Sequence, residues 1–262
     1  MPIHPTAIVH PSARLAEGVE VHAYAIIEAD VEIGAGTVVG PFAVIGAGTR
    51  MGCGNRIYAS AQVGVAPQDL KHLPGAVGKT IIGDNNIIRE FVTISSSTVY
   101  GKEEDAQKAT RIGNNCLLMA TAHVAHDCVL GDGVIMANGA ALAGHVTVQD
   151  RVSIGGLAGI HQFCVLGTHA FIGGMSRISQ DVLPYMLIEG NPAKCYGPNT
   201  VGLQRAGFTS EQIQRIRRMY KLLYRSQMNT TQAVERIQQE IPDCPERQTI
   251  LNFIAASKRG LT

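Results

Sequence analysis

The sequence has no tryptophan, and phenylalanine and tyrosine together make up only 5% of its 262 residues. Its apolar residues are mostly small or branched, which favours a core of thin stacked layers over one wide core. No apolar run approaches the roughly 18 residues that a membrane span requires. Residues 1–13 also lack a basic segment followed by an apolar one, so we expect neither a membrane span nor a secretory signal.

Paired cysteines are also missing, because the six cysteines form no CxxC motif. Cys116, Cys128 and Cys164 share one slot of a repeat described below, where alanine and valine also occur. We interpret them as small core residues rather than disulfides or metal ligands. A reducing cytoplasm is then the expected compartment.

Charged residues are scarce, at 16% of the chain, and they are unevenly distributed. Residues 1–202 carry 12 Lys and Arg against 16 Asp and Glu, whereas residues 203–262 carry 10 against 5. The basic C-terminal segment is a candidate surface for an acidic protein partner, although a solvated helical surface would look the same. We expect no nucleic-acid partner.

An aliphatic residue recurs every six positions through most of the chain, and a helix cannot keep such a period on one face. A parallel β-helix can, because three hexads close one triangular coil and the next coil stacks on it about 4.8 Å away. Position two of the hexad is often glycine. Position one is aliphatic and position five is small, so positions one and five are predicted to point inward. The 26 hexads begin at Ile3, Val9, Leu15, Val21, Ile27, Ile33, Val39, Ile45, Met51, Ile57, Val63, Ile82, Ile88, Ile94, Ile112, Leu118, Val124, Leu130, Met136, Leu142, Val148, Ile154, Ile160, Leu166, Ile172 and Ile178.

Two insertions interrupt the repeat, at residues 69–81 and 100–111. If each insertion leaves and rejoins the coil at one corner, both project from the same corner, just before the coil that carries His126. Two excursions at one corner of an otherwise uninterrupted prism indicate a wall around a site. The hexads that would then share one face begin at Val63, Ile94, Val124, Leu142 and Ile160.

After the hexads the period becomes helical. We therefore divide the chain into a β-helix at residues 1–187 and a transition with a C-terminal helical domain at residues 188–262. The segment Thr209-Ser210-Glu211-Gln212 has the pattern of a capping box. Further helices are expected to begin near Thr230 and at Pro245.

The hexad register gathers candidate catalytic residues on one face. His126 and Gly144 occupy position three in successive coils, and Asp127 and His145 both occupy position four, roughly 5 Å apart. A further two histidines are expected on or beside this face, His123 and His161.

An imidazole that is oriented by a carboxylate can act as a general base at neutral pH, and His126 with Asp127 fits that role. The backbone N–H of Gly144 could stabilise a developing oxyanion. Asp69 and Lys71 on the first insertion could position a polar or phosphorylated substrate. A metal site built from several histidines, as in γ-class carbonic anhydrases, remains open at this point.

Six segments, taken in this order, resemble the family of UDP-N-acetylglucosamine O-acyltransferases that begins lipid A synthesis. The resemblance covers the whole chain and implies a left-handed parallel β-helix of hexapeptide repeats with a C-terminal α-helical domain. It further implies a cytoplasmic homotrimer with active sites between neighbouring subunits. The segments are QDLK (68–71), AHVAHDC (122–128), ALAGHV (141–146), IHQFC (160–164), QDVLPY (180–185) and GLQRAGF (202–208).

The resemblance also implies a reaction. An (R)-3-hydroxyacyl chain would pass from the 4'-phosphopantetheine of acyl carrier protein to the 3-hydroxyl of UDP-N-acetylglucosamine, without a metal or other cofactor. One alternative is acyl or acetyl transfer to a different UDP-sugar, including a 3-amino sugar. The other is a metal-dependent enzyme of the γ-carbonic-anhydrase type.

Specific roles follow by matching the family's motifs. His126 would be the general base, Asp127 would orient it, and the Gly144 N–H would bind the oxyanion. Gly174 would leave room at the floor of the acyl pocket. Substrate contacts would come from Gln68, Asp69, Lys71 and His123 on the sugar and phosphate side, and from His145, His161, Gln162, Asn199 and Arg205 on the nucleotide or donor side. The chain departs from the family at Ser95-Ser96-Ser97, Val201 and Ala206.

Overall fold

The computed structural model describes residues 3–262, apart from the side chain of Ala106, and most of the chain forms very short strands. In chain order the strands are β1 Ile8–Val9, β2 Arg14–Leu15, β3 Glu20–Val21, β4 Ile26–Ile27, β5 Glu32–Ile33, β6 Val38–Val39, β7 Val44–Ile45, β8 Thr49–Met51, β9 Arg56–Ile57, β10 Gln62–Val65, β11 Thr80–Ile82, β12 Ile87–Ile88, β13 Thr93–Ser95, β14 Thr110–Ile112, β15 Leu117–Leu118, β16 His123–Val124, β17 Val129–Leu130, β18 Ile135–Met136, β19 Ala141–Leu142, β20 Thr147–Val148, β21 Ser153–Ile154, β22 Gly159–Ile160, β23 Val165–Leu166, β24 Phe171–Ile172, β25 Arg177–Ile178, β26 Met186–Gly190 and β27 Ala193–Pro198.

The strands form the three faces of a prism. The first face has the order β1-β4-β7-β10-β13-β16-β19-β22-β25, the second β2-β5-β8-β11-β14-β17-β20-β23, and the third β3-β6-β9-β12-β15-β18-β21-β24-β26-β27. Strands of successive coils pair in parallel, and the face predicted from the hexads is confirmed by its pairs Val63↔Ile94, Ile94↔Val124, Val124↔Leu142 and Leu142↔Ile160. The predicted parallel β-helix of hexapeptide repeats, with three strands to each coil, is therefore confirmed.

Two corners of the prism matter below. We call the turns from the first face to the second the first corner, and the turns from the third face to the first the third corner. At both corners, position four of the hexad adopts left-handed backbone angles, with φ of 59° at Asp127, 61° at His145 and 58° at Phe42. The side chain at this position is therefore carried at the apex of each turn.

Glycine at position two allows the coils to approach closely. A Cβ built on Gly34 would lie 2.5 Å from the carbonyl carbon of Gly52, and one on Gly46 would lie 2.2 Å from the carbonyl oxygen of Gly64. Neither glycine has a positive φ. Close backbone approach, and not the turn itself, therefore explains this part of the repeat.

The cysteines of the repeat lie in the core, as predicted. Cys116, Cys128 and Cys164 are buried free thiols. Burial raises the pKa of Cys128 to about 12 and the pKa values of the other two to about 11. These thiols therefore stay protonated and unreactive at neutral pH.

The two insertions do leave the prism at the same corner. Each connects a first-face strand to a second-face strand, from β10 to β11 over residues 66–79 and from β13 to β14 over residues 96–109. The second contains a short 3-10 helix, Glu103–Gln107. His126 lies in the corresponding turn of the next coil, between β16 and β17, so the predicted shared corner is confirmed.

The helical part begins after a hairpin that the sequence did not reveal. Strand β26 pairs in parallel with β24 and antiparallel with β27, so the segment read as an irregular transition continues the third face. Because β26 spans residue 187, it crosses the predicted domain boundary, whose placement stays a prediction. The helices are α1 Thr200–Arg205, α2 Ser210–Tyr224, α3 Thr230–Glu240 and α4 Pro245–Ala256.

The helix starts agree with the sequence. Thr209 caps α2 by accepting from the Gln212 N–H, and Gln212 accepts in return from the Thr209 N–H, which confirms the capping box. The C-terminal segment returns to the prism, where the buried Asp181 carboxylate accepts from the Ser257 hydroxyl at 2.7 Å. Over residues 3–262, none of the helices combines the length and apolarity needed to cross a bilayer.

We expect Gly34→Ala to destabilise the protein by about 1–3 kcal/mol, because the new methyl group would overlap the backbone of the next coil. Gly159→Ala is the matched control, since a Cβ there meets no atom within 4 Å and Gly159 has no positive φ. Urea denaturation of the two variants tests the prediction. Equal midpoints would show that close coil approach does not constrain position two.

Candidate active site

The first corner presents His126 and Asp127 from a turn that is fixed on both sides. The Asp127 N–H donates to the Thr110 hydroxyl at 2.8 Å, and the His145 N–H of the next coil donates to the His126 carbonyl at 3.1 Å. Backbone contacts to the coils before and after therefore hold both residues of the turn.

His126 and Asp127 form a directly bonded pair. The His126 Nδ1 lies 2.9 Å from Asp127 Oδ2, and the Asp127 side chain is only 7% exposed. The Thr98 hydroxyl donates to the same oxygen at 2.7 Å. Burial acts to raise the pKa of the Asp127 carboxyl, but the hydrogen bonds from His126 and Thr98 outweigh it and hold the pKa below its usual value. A charged Asp127 fixes the imidazole with its proton on Nδ1 and its lone pair on Nε2.

Gly144 lies directly against the imidazole. A Cβ at this position would fall 2.4 Å from His126 Cε1 and 2.6 Å from Nε2, so any side chain would displace the ring. Among residues 3–262 the Gly144 N–H has no hydrogen-bond acceptor, which leaves it free to donate to a ligand. The predicted stacking of Gly144 on His126 is thus present.

Asp69 brings a second carboxylate to the other side of the imidazole. Its Oδ2 lies 4.0 Å from His126 Nε2 and accepts from the Tyr100 hydroxyl at 2.8 Å, while Oδ1 accepts from the Lys71 N–H at 2.8 Å. The hydrogen bonds from the Lys71 backbone and the Tyr100 hydroxyl lower the pKa of the Asp69 carboxyl. Asp69 is therefore ionised at neutral pH.

His145 and His123 border the pair in different ways. The His145 ring meets the His126 ring edge-on at a centroid distance of 5.1 Å and stacks on Phe163 at 4.7 Å. The His123 Nδ1 lies 2.7 Å from the Thr93 hydroxyl. Burial lowers the pKa of both histidines, so both are largely neutral at physiological pH.

These groups open onto a cavity of about 550 Å³ between the two insertions and three successive coils. It therefore combines a positioned base with charged groups that could bind a polar substrate. Its lining residues are Gln68, Asp69, Leu70, Lys71, Tyr100, His126, His145, Gln162 and Phe163.

The site contains fewer histidines than a three-histidine metal centre requires. Ligand atoms of His126, Asp127 and His145 lie within 4.8 Å of one another. However, Asp127 already binds the His126 Nδ1, and a third histidine is missing because His161 does not join the group. The geometry fits an oriented base better than a three-histidine metal centre.

His161 lies beside the first face, as predicted, because it directly follows β22, and its contact with nucleotide or donor stays a prediction. It is exposed, its Nδ1 contacts only the Gln162 carbonyl oxygen at 3.1 Å, and it does not line the cavity. The cause is its register, since His161 is position two of its hexad. Gln162 and Phe163 occupy positions three and four and therefore stack over Gly144 and His145.

Three other predicted residues lie elsewhere in the chain. Asn199 caps α1 by accepting from the Gly202 N–H at 3.1 Å, and with Arg205 it lines a separate cavity of about 630 Å³ on the third face. Gly174 lies in a turn of the third corner, next to the exposed Met175. Within one chain, none of the three lines the cavity of His126.

Sequence reasoning missed four residues that shape the site. Phe163 was within reach, because it occupies position four one coil after His145. Thr98 and Tyr100 lie in an irregular insertion without periodicity, and Thr110 follows it at its junction with β14, so nothing in the sequence marks them.

Two family models and full-length relatives match this chain. Residues 181–262 match the family model described as UDP N-acetylglucosamine O-acyltransferase, domain 2, and residues 12–47 and 109–144 match the bacterial transferase hexapeptide model. A protein from Anaeromyxobacter dehalogenans, named acyl-[acyl-carrier-protein]--UDP-N-acetylglucosamine O-acyltransferase, is 45% identical over all of both chains. A protein of the same name from Leptothrix cholodnii is 49% identical, covering 99% of this chain and 98% of its own.

Solved structures agree with these relatives. LpxA from Acinetobacter baumannii superposes with a TM-score of 0.94 at 41% identity, covering 100% of both chains. The UDP-N-acetylglucosamine O-acyltransferase from Moraxella catarrhalis gives 0.93 at 39% identity, covering 100% of this chain and 99% of its own.

We expect Thr98→Val to destabilise the protein by roughly 1.5–3 kcal/mol near neutral pH, because a hydrogen bond to the buried, charged Asp127 is lost. Since the folded pKa of Asp127 lies below its unfolded value of about 4, this contribution is present above that value. It is lost as the pH falls through the folded pKa. Thermal unfolding of wild type and variant across pH 3–7 measures the difference.

Thr80→Val is the matched control, because the Thr80 hydroxyl is buried and has no hydrogen-bond partner. It should cost no stability at any pH. A Thr98→Val penalty that did not change between pH 7 and pH 3 would mean that the hydroxyl supports packing and not the Asp127 charge.

Proposed function

Since the chain belongs to the UDP-N-acetylglucosamine O-acyltransferase family, we propose that its own first corner carries out the family's acyl transfer with His126 as general base. The enzyme transfers an acyl chain from acyl carrier protein to UDP-N-acetylglucosamine, a step of lipid A biosynthesis. The observation that carries the residue assignment is the bonded His126–Asp127 pair, whose free Nε2 faces a cavity. The relatives favour this reaction over another UDP-sugar acceptor or a metal-dependent hydratase.

The proposed reaction moves one proton through His126 and passes through one tetrahedral intermediate. His126 Nε2 takes the proton of the acceptor 3-hydroxyl as the sugar oxygen attacks the thioester carbonyl of an (R)-3-hydroxyacyl chain. Asp127 stabilises the imidazolium through Nδ1, and the Gly144 N–H donates to the oxyanion. Collapse of the intermediate breaks the carbon–sulfur bond, and the imidazolium returns the proton to the phosphopantetheine thiol. No metal or other cofactor has a role in this scheme.

The acceptor would be held from the first insertion. Asp69 carries a negative charge that can accept hydrogen bonds from sugar hydroxyls, and the exposed Lys71 ammonium can contact a phosphate. Gln68 lines the same cavity, whereas His123 contacts the Thr93 hydroxyl and is not among the lining residues. His145 and Gln162 border the cavity from the opposite side, where nucleotide or donor would lie.

The remaining predicted contacts need a second subunit. Asn199 and Arg205 line the third face, Gly174 lies at the third corner, and His161 is exposed outside the cavity. In a cytoplasmic homotrimer of parallel prisms, a neighbour's third face could complete the cleft at the first corner. Support comes from exposed apolar side chains along the third corner that a neighbour would cover, namely Tyr24, Phe42, Phe91, Leu157 and Met175, which are 55–74% exposed.

The basic helix α2 would receive the carrier protein. Arg225 is engaged by Tyr220, whose hydroxyl accepts from its Nε at 2.7 Å, and Arg215 pairs with Glu211 and Glu246. Arg217, Lys221 and Arg225 are spaced four residues apart along α2 and its C-cap, and two of these three charges therefore stay available. Among residues 3–262, the Arg217 and Lys221 side chains have no partner and could contact an acidic surface.

His126→Ala should lower kcat by a factor of roughly 10²–10⁴, the usual contribution of a general base, without unfolding the protein. The His126 side chain is 17% exposed and borders a cavity, so little packing is lost. Single-turnover acyl transfer to UDP-N-acetylglucosamine measures the loss, and circular dichroism checks the fold. A folded variant that kept more than about a tenth of the wild-type rate would contradict the assignment.

Reversal of both charges in Arg217→Glu/Lys221→Glu should raise KM for the acyl carrier thioester at least severalfold, because the attraction is Coulombic. The effect should fade as salt rises from 0.1 M to 1 M and the Debye length shrinks from about 10 Å to about 3 Å. KM for the UDP-sugar should change little.

Two controls test whether the change in KM requires the carrier protein. A short acyl-pantetheine thioester, which lacks the protein, should react equally well with wild type and the double variant. Arg236→Glu on α3, where the arginine pairs only with Glu240, should leave KM for the carrier thioester unchanged. Equal losses with both donors would mean that α2 has a structural role only.

A further inference from the structure

One oxygen of Asp69 lies between a phenol and the imidazole. Oδ2 accepts from the Tyr100 hydroxyl at 2.8 Å and is also the atom nearest His126 Nε2, at 4.0 Å. The second distance is too long for a hydrogen bond. The other oxygen, Oδ1, is held by the Lys71 N–H at 2.8 Å. Asp69 is thus restrained by both oxygens just outside contact with the base.

Tyr100 is itself held in place by the second insertion. Its N–H donates to Asp105 Oδ2 at 2.7 Å, and the Lys108 ammonium lies 4.8 Å from its ring centroid. Lys108 in turn donates to Asp105 Oδ1 at 2.7 Å. The phenol therefore belongs to a cross-linked unit and cannot easily follow Asp69 if that side chain rotates.

A carboxylate at this distance could block the base. If Asp69 Oδ2 closed the gap to Nε2, it would form an ion pair with the imidazolium, with the proton held on Nε2. His126 already has Asp127 on Nδ1, so the ring would lie between two carboxylates in contact and would be trapped in its charged form. Nε2 would then be unable to take a proton from the acceptor.

We propose that Tyr100 is a positioning residue that keeps Asp69 from pairing with the general base His126 while leaving the carboxylate free to bind the acceptor. The inference rests on the proposed function of His126. The charged and titratable groups that face Asp69 are Lys71, Tyr100, His126 and His145, with Lys108 behind the Tyr100 ring. Of these, only the Tyr100 side chain donates a hydrogen bond to Oδ2.

Tyr100→Phe removes the hydroxyl and keeps the ring over which Lys108 lies. We expect kcat at neutral pH to fall about tenfold, the factor that corresponds to one hydrogen bond to a charged group. The acid limb of kcat against pH should move to higher pH, because a contacting carboxylate stabilises the protonated imidazole. At alkaline pH kcat should recover toward the wild-type value. KM for the UDP-sugar should change less than kcat.

The double variant Asp69→Asn/Tyr100→Phe separates a positioning role of Tyr100 from a structural one. In the D69N background no carboxylate can close on Nε2, so adding Y100F should have no further effect on kcat. Tyr196→Phe, on an exposed residue of β27, should match wild type throughout. A Y100F loss that was equal at all pH values, or that persisted in D69N, would overturn the proposal, as would a Y100F enzyme with wild-type kcat.

A measurement that does not depend on turnover separates the positioning role of Tyr100 from the proposed role of His126 as general base. In ¹⁵N spectra of histidine-labelled protein, the His126 imidazolium of Y100F should persist to higher pH than in wild type, and D69N should abolish the difference. Unchanged titration would overturn the positioning role even in an active enzyme. If instead His126→Ala retained activity, the proposed base would fail while the titration result still reported the Tyr100 restraint.

Discussion

Parallel pairing between successive coils determines where every proposed catalytic group of the prism lies. Each coil repeats the backbone of the previous one, so a residue stacks on its equivalent 18 positions later, as Val124 does on Leu142. That spacing sets Gly144 against the His126 ring and His145 beside it. The stacking works only because small inward residues and glycines at position two let the backbones approach, as at Gly34 and Gly52. Core packing and site geometry are therefore the same constraint.

This stacking explains how much of the fold and of the site could be predicted from the sequence. Once the hexads are aligned, the face, the corner and the neighbours of His126 follow by counting, which is why Asp127 and Gly144 were found. Counting also accounts for His161, which occupies position two of its hexad, outside the column of His126, and does not line the cavity. The hairpin of β26 and β27 escaped because its glycines and prolines look like an irregular linker, although one strand joins the third face.

The contacts of the insertions and the role of the third-face cavity could not be derived in this way. Tyr100 and Thr98 lie where the backbone has no period, so only tertiary contacts reveal that they bind Asp69 and Asp127. Asn199 and Arg205 present a different limit. Their cavity on the third face is separate from that of His126 in one chain, so the hexad register does not connect them to the proposed chemistry.

The site thus combines two kinds of support with different tasks. The prism supplies rigid elements, namely the imidazole, its bonded carboxylate at 2.9 Å and the Gly144 backbone that lies against the ring. The first insertion supplies a second carboxylate at 4.0 Å, which in the proposed mechanism must stay close enough to bind an acceptor and far enough to leave the base free. A general base between two carboxylates can function only if their distances differ. A rigid repeat can set the short distance by itself, whereas the long one needs a separate restraint on the insertion.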